Sequence, residues 1–311
     1  YAISYMSVDT VENVIVRIRT DGPESGFGCA APMPYVTGET IDNCMAALTG
    51  DRFRETVLGA RVAEAYALIQ DLNVPLSPNP AASAAFEMAL FDLMGKMVKL
   101  PLYRFYTRKK RKFPTSITIG IKPVDDALQE AGEYLSRGFK SLKVKLGKDL
   151  EEDIERMQRL REICGPDIAL RVDMNQGYTI DEFRTFLRRT QNTDIELIEQ
   201  PLPVADFDHM ELLDEEVRER CAADENLHGA DDALRLVRPP RRFGIYNIKL
   251  MKCGGITSAR RIADIAGLMA VKLMWGCNDE SRISITAALH TALSCPNTRY
   301  LDLDGSLDLE D

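Results

Sequence analysis

The sequence predicts an α/β barrel carried behind an α+β capping domain, and three observations support that prediction. From residue 113 onward, short β-rich runs alternate with helical stretches of about ten to fifteen residues. The ends of eight runs, marked at 118, 145, 173, 199, 224, 249, 277 and 302, follow one another in steps of 25 to 28 residues. That is the pitch of an eight-stranded βα barrel; an open doubly wound sheet shows similar steps, but rarely eight with so little variation. Before residue 113 the order is instead a strand followed by helices. The 311-residue chain therefore divides into a capping domain, 1–112, and a barrel, 113–311.

In the capping domain, Val14, Val16 and Ile18 alternate with Ile15, Arg17 and Arg19 in strand fashion. A glycine-bearing loop is expected from Asp21 through Gly26, Phe27 and Gly28 to Pro34, leading by way of 36–40 into a helix from Ile41. Further helices are expected over 56–72 and 81–97, the second buried because it is rich in Ala, Met, Leu and Phe. The barrel strands are expected at 116–121, 141–145, 169–173, 196–199, 221–224, 246–250, 273–277 and 299–303. Helices over 124–137, 150–163, 180–191, 257–267 and 284–294 alternate with them.

Composition narrows the function. With 45% hydrophobic and 28% charged residues the chain has room for a full core. Asp and Glu number 48 against 39 Lys and Arg, a net charge of −9, which disfavours nucleic acid and anionic membranes as partners. The basic cluster at 108–112 is too short and isolated to change this. No apolar run has the length of a membrane span, and no signal-peptide pattern opens the chain. Seven scattered cysteines without a CxxC pair predict a reducing, cytoplasmic location. The chain opens at Tyr1 rather than Met and stops at Asp311, so residues are expected beyond both ends. Three histidines supply a His-based metal site or triad poorly, which leaves carboxylates and lysines as the agents of any chemistry.

Those groups fall at the strand ends, where barrels carry their active sites. In the second run Lys143 and Lys145 share one face, and Leu142, Val144 and Leu146 share the other. Helices cover the outside of a barrel, so the lysines point inward and require anions beside them. Asp173, Glu199 and Asp224 reach the same rim from the next three strands. Three converging carboxylates repel one another and require a cation; oxygen-only ligands suit Mg²⁺. Lys249 lies four strands from Lys145, so the two lysines face each other across the metal. Lys252 is expected past the strand end, in solvent. Asp302 and Asp304 point inward from the last run, although spacing alone also fits a solvated C-terminal loop.

The ordered set Lys143-x-Lys145, Asp173, Glu199-Gln-Pro, Asp224-Glu225 and Asn247-x-Lys249-x-Met-Lys resembles the enolase superfamily, and within it the muconate-lactonising subgroup. Asp302-x-Asp304, with Gly276-Cys277 upstream of Glu280-Ser281, resembles the dipeptide epimerases. The likeness spans nearly the whole chain, with Gly26–Pro32 and Val36–Thr40 resembling the family's capping-domain loop. It implies a (β/α)7β modified TIM barrel with an α+β cap; the family's terminal return to the cap has no counterpart before Asp311. It also implies Mg²⁺ on Asp173, Glu199 and Asp224, and epimerisation of a dipeptide at the α-carbon of its C-terminal residue. Lys145 and Lys249 would exchange the α-proton on opposite faces through an enediolate, and Lys143 would bind the substrate's developing charge and lower the pKa of Lys145. Asp302 and Asp304 would hold the α-ammonium. Thr118 and Cys277 would contact substrate, Cys277 reading equally as a small core residue. The implied partner is a small-molecule dipeptide, with a homo-oligomeric assembly. N-succinylamino acid racemases, o-succinylbenzoate synthases and muconate cycloisomerases of the subgroup keep the metal and the lysines without needing Asp302 and Asp304. Asn278 and Asp279 depart from residues common among relatives. No Lys or Arg lies between Arg19 and Arg52. The cap loop is therefore expected to favour a hydrophobic C-terminal residue over Glu, and to tolerate a cationic one better than an anionic one.

Overall fold

The computed structural model describes residues 2–3, 6–7, 10–109, 111–307 and 309. Lys110 of the basic cluster and the terminal Tyr1, Glu310 and Asp311 lie outside the described residues.

In the cap, the strand Val14–Arg19 pairs antiparallel with a second strand, Ser25–Ala30. The second strand replaces much of the expected glycine loop, and close packing is the reason. A Cβ added to Gly26 would lie 1.9 Å from the Ala89 carbonyl oxygen, and one on Gly28 would lie 1.8 Å from that of Ala85. The glycines therefore let this strand lie directly on the long helix Pro80–Val98, where turn chemistry had suggested a loop. The turn at 21–24 and the part from Ala31 into the helix Ile41–Thr49 remain loops. The helix expected over 56–72 is also broken: Asp51–Val57 ends before a turn at Gly59, and Ala65–Leu76 begins after it.

The barrel strands are Ile117–Ile119, Ser141–Lys145, Ala169–Asp173, Ile195–Glu199, Cys221–Ala223, Ile245–Ile248, Lys272–Trp275 and Thr298–Leu301. Each runs parallel beside its successor in the sequence. A parallel bridge between Thr115 and Leu301 joins the last strand to the first, with Ser116 N–H donating to the Leu301 carbonyl at 3.1 Å. Helical segments fill all seven connections, which gives the (β/α)7β order and disposes of the open doubly wound sheet. Local signals set the helices. Asp149 caps Leu150–Cys164 by accepting from Glu152 N–H at 3.0 Å, with Glu151, Glu152 and Asp153 in the first turn. Thr179 and Glu182 form a reciprocal capping box on Ile180–Arg189.

Alternation along the strands sorts the barrel interior into layers. Leu197, Ala222, Ile245 and Met274 pack with Tyr300 as an apolar floor. Arg171 crosses beside them, donating to the Leu301 carbonyl at 2.8 Å and to Glu196 at 2.7 Å. One inward position further along, Asp173, Glu199, Asp224 and Asp302 follow Arg171, Leu197, Ala222 and Tyr300, while Asn247 and Gly276 follow Ile245 and Met274. The cap is tied to the barrel by Glu87, which accepts from Thr257 N–H at 2.8 Å, and by Ser83, whose hydroxyl donates to the Gly254 carbonyl at 2.8 Å. Among the described residues no helix is long and apolar enough to cross a membrane.

The packing generates a paired test. Gly28→Ala forces the cap strand off its helix and should cost about 1–3 kcal/mol or more in urea unfolding. Gly132→Ala lies in the helix Val124–Ser136 with nothing within 4 Å, and should gain about 0.4–1 kcal/mol.

Candidate active site

The C-terminal rim of the barrel opens into a cavity of about 1240 Å³, shared with the cap. Strand register delivers the charged groups to it. Lys143, Lys145 and Asp173 stand on neighbouring strands with Lys145 opposite Asp173, and Asp173 is in turn opposite Glu199. Asp224, Lys249, Cys277 and Asp302 lie just beyond their strand ends, where the backbone leaves the ladder for the rim loops.

Lysines and carboxylates interleave at this level. The Lys143 ammonium lies 2.7 Å from Glu199 Oε2, 2.7 Å from Asp302 Oδ2 and 3.0 Å from Asp173 Oδ2. Lys145 donates to Asp173 Oδ2 at 2.6 Å and to Asn175 Oδ1 at 3.0 Å. Across the barrel, Lys249 donates to Asp224 Oδ2 at 2.9 Å. Asn247 joins the two sides, its Nδ2 donating to Glu199 Oε1 at 2.6 Å and to Asp224 Oδ1 at 3.4 Å. Gly276 makes room for this arrangement, since a Cβ there would come within 2.6 Å of Asn247 Oδ1 and 3.1 Å of Lys249 Cε.

The charge states follow from the geometry. Burial alone would lower the Lys143 pKa, but Asp173, Asp302 and Glu199 hold it well above the usual lysine range. Burial likewise opposes ionisation of Asp173, yet Lys143 and Lys145 bring it down to about 2. Asp224 is buried and still held well below the usual carboxylate range by Lys249 and Lys252. Glu199 is the exception: burial, then the neighbouring Asp173 charge, push it up to about 8. Its Oε2 is buried without a hydrogen-bond donor and relies on the charge of Lys143.

Among the described residues, no three Asp, Glu, His or Cys side chains already stand in metal-holding geometry; lysine ammonium groups occupy the positions between the carboxylates. The donor set nevertheless fits a small hard cation. Asp173, Glu199 and Asp224 offer only carboxylate oxygens, one of them a buried atom without a donor.

At the closing seam of the barrel, Asp302 and Asp304 are 4% and 8% exposed, so the pair does not form a solvated loop. Asp302 is already engaged on both oxygens, by Ser116 Oγ at 2.6 Å and by Lys143. Asp304 Oδ2 accepts from Thr118 N–H at 2.7 Å, and burial together with Asp302 raises its pKa to about 6. Thr118 and Cys277 line the cavity. The Cys277 thiol is turned to the Asp302 carbonyl at 3.4 Å, and burial with the nearby Asp304 charge keeps it protonated. From the cap, Met33, Tyr35 and Val36 close the cavity, joined by Thr10, Val11 and Asn13.

The expectation for Lys252 is overturned. It is 4% exposed, and its ammonium donates to the Asp224 carboxylate and carbonyl. The chain does not leave into solvent after the sixth strand; it makes one helical turn, Leu250–Cys253, closed at Gly254. That turn brings residue 252 back over the site. The signal lies in the sequence, because a turn punctuated by Gly254-Gly255 places positions 249 and 252 on one side. Gln200 was also missed. Its Oε1 accepts from Asp224 N–H at 3.0 Å and from Asn226 N–H at 3.3 Å, while its Nε2 donates to Asn226 Oδ1 at 2.6 Å.

Comparison with known proteins agrees with this geometry. Residues 1–105 match the N-terminal domain family of mandelate racemase / muconate lactonizing enzyme, and residues 126–310 match the enolase C-terminal domain-like family. The chain belongs to the mandelate racemase / muconate lactonizing enzyme family of the enolase superfamily. One relative within this family, the L-Lys-D/L-Arg epimerase of Methylococcus capsulatus, is 49% identical over 99% of this chain and 86% of its own length. A hydrophobic dipeptide epimerase of Enterococcus faecalis is 33% identical over 100% of this chain and 87% of its own. A crystal structure of the Methylococcus capsulatus dipeptide epimerase, complexed with Mg and the dipeptide L-Arg-D-Lys, superposes with a TM-score of 0.97. It is 48% identical, covering 100% of this chain and 88% of that one.

The position of Lys252 can be tested on its own. Lys252→Met keeps the bulk of the side-chain stem but removes a charged donor from buried Asp224. It should cost about 1.5–3 kcal/mol of stability in urea unfolding; a loss below about 0.5 kcal/mol would place Lys252 in solvent.

Proposed function

We propose that this chain is a Mg²⁺-dependent dipeptide epimerase that inverts the α-carbon of the substrate's C-terminal residue by proton transfer between two lysines. One observation carries the reading: Lys145 and Lys249, four strands apart in the ring, flank one cluster of carboxylates, Lys145 at Asp173 and Lys249 at Asp224. Asp173, Glu199 and Asp224 would hold the ion. Bound there, a divalent ion supplies Lewis-acid stabilisation of the charge that develops when a carbon beside a carboxylate loses its proton. Lys143 adds fixed positive charge at the same place. Lys145 takes the α-proton from one face of the substrate and Lys249 gives one back to the other face, with the roles exchanged in the reverse direction. Asp302 is bound to Lys143, so Asp304 is the carboxylate left to receive the substrate's α-ammonium. Thr118 and Cys277 line the same end of the cavity.

The lining also speaks to the side chains. The cap contributes Thr10, Val11, Asn13, Ile15, Met33, Tyr35 and Val36, none of them charged. On the barrel side Lys122 is committed to Glu130 at 2.7 Å, and Arg282 is exposed at the mouth. An anionic side chain would thus be buried without a cationic partner, whereas an apolar one meets Met33 and Val36. A cationic one meets a site rich in carboxylates. The 49%-identical relative named for Lys and Arg dipeptides supports adding the cationic class to the apolar one.

Two measurements test this reading together. A chelator should abolish epimerisation and Mg²⁺ should restore it; full activity of metal-free protein would remove Asp173, Glu199 and Asp224 from the reaction. Values of kcat/KM for L-Lys-L-Arg and L-Ala-L-Leu should each exceed that for L-Ala-L-Glu at least tenfold, about 1.4 kcal/mol of transition-state binding. A glutamyl substrate best by that margin would mean that Arg282 or another cation serves the pocket.

A further inference from the structure

Asn175 and Glu225 stand beside the reacting groups, Asn175 against Lys145 and Glu225 against Asn175. Asn175 is 5% exposed and holds φ at +40°, a left-handed conformation that asparagine adopts more readily than most non-glycine residues. Its N–H donates to Asp173 Oδ1 at 3.0 Å, which anchors the backbone, and its side chain bridges two strands. Oδ1 accepts from Lys145 Nζ at 3.0 Å, while Nδ2 donates to Glu225 Oε1 at 3.4 Å.

The chemistry of the three groups allows one orientation. Lys145 Nζ donates to the carbonyl end of the Asn175 amide, which leaves the NH₂ end to donate to Glu225 Oε1. A neutral lysine amine has two N–H bonds and one lone pair. Asp173 Oδ2 and Asn175 Oδ1 take the two N–H bonds, so the lone pair must point elsewhere, into the cavity where the substrate's α-hydrogen would lie. On the opposite face Lys249 donates to Asp224; the neighbouring amide, Asn247, donates to Asp224 and Glu199, and among the described residues no hydrogen bond runs from Lys249 to an amide oxygen.

We propose that Asn175, oriented by Glu225, is a positioning residue that aims Lys145, and Lys145 alone, at the substrate's α-hydrogen. The inference rests on the two-lysine reading above. It deepens that reading by making the two halves of the reaction unequal in how their bases are held.

The test follows solvent exchange. Each epimer of a dipeptide substrate is incubated in D₂O with Mg²⁺-loaded enzyme, and deuterium uptake at the α-carbon is read before inversion accumulates. Asn175→Gly removes the amide while suiting the positive φ. It should slow exchange of the epimer facing Lys145 by about 10²-fold and leave the epimer facing Lys249 within about threefold of wild type. Glu225→Gln keeps size and shape but offers a donor, so the Asn175 amide is free to turn over. It should show the same one-sided loss, and it carries the test through a residue on another strand. Equal loss on both faces in either variant would make these residues merely structural and overturn the proposal, as would no loss on either face. Wild-type enzyme exchanging neither epimer would overturn the two-lysine reading itself, and the positioning role with it.

Discussion

Everything at the barrel rim depends on mutual neutralisation of buried charges. Lys143, Lys249, Lys252, Asp173, Glu199, Asp224, Asp302 and Asp304 are all less than one-tenth exposed, and no one of them could stay ionised there alone. The pairing runs between strands: Lys143 holds Asp173, Glu199 and Asp302 together, and Asp224 is gripped by Lys249 and Lys252, while burial and a neighbouring carboxylate push Glu199 up to about 8 and Asp304 up to about 6. Removing one member leaves its partner as an uncompensated buried charge, so barrel stability and site chemistry are one problem. The apolar floor of Leu197, Ala222, Ile245 and Met274 keeps the layer dry from below, and the cap loop shields it from above.

This constraint explains how much was legible in the sequence. Strand alternation places Lys143 with Lys145, and Asn247 with Lys249, without reference to any structure, because period two is fixed by the backbone. Strands 141–145 and 169–173 come out at the expected residues for that reason, and the pitch of the runs supplied the barrel. The errors have a common cause: they concern residues placed by tertiary contact. Gly26 and Gly28 read as loop formers until the long cap helix is seen lying within touching distance of them. Lys252 read as solvated because a single helical turn after a strand has too few residues for periodicity to detect. Nor does any spacing argument join Lys143 to Asp302, 159 residues further along the chain, although the two are in contact.

The two halves of the molecule line the cavity differently. The barrel supplies nearly all the charge, held by register and by ion pairs. The cap supplies uncharged surface through a loop stapled at Thr37, whose hydroxyl accepts from Met33 N–H and donates to the Met33 carbonyl. Asn278 Nδ2 and Met251 Sδ reach from the barrel to the backbone of Ala31, so the loop is docked on the rim it covers. A substitution in the cap lining can thus reshape the cavity without disturbing the buried ion pairs, whereas a charged substitution in the rim layer disturbs those pairs directly.

If one carboxylate cluster serves two bases on opposite faces, single-lysine variants must separate the two faces. Lys145→Ala and Lys249→Ala are each incubated in D₂O with the separate epimers of a dipeptide substrate, and both inversion and α-deuterium uptake are followed. Neither variant should invert the centre, and each should still exchange the α-hydrogen of one epimer, a different epimer for each variant. Inversion at the wild-type rate by either variant, or exchange of the same epimer by both, would contradict the two-lysine reading.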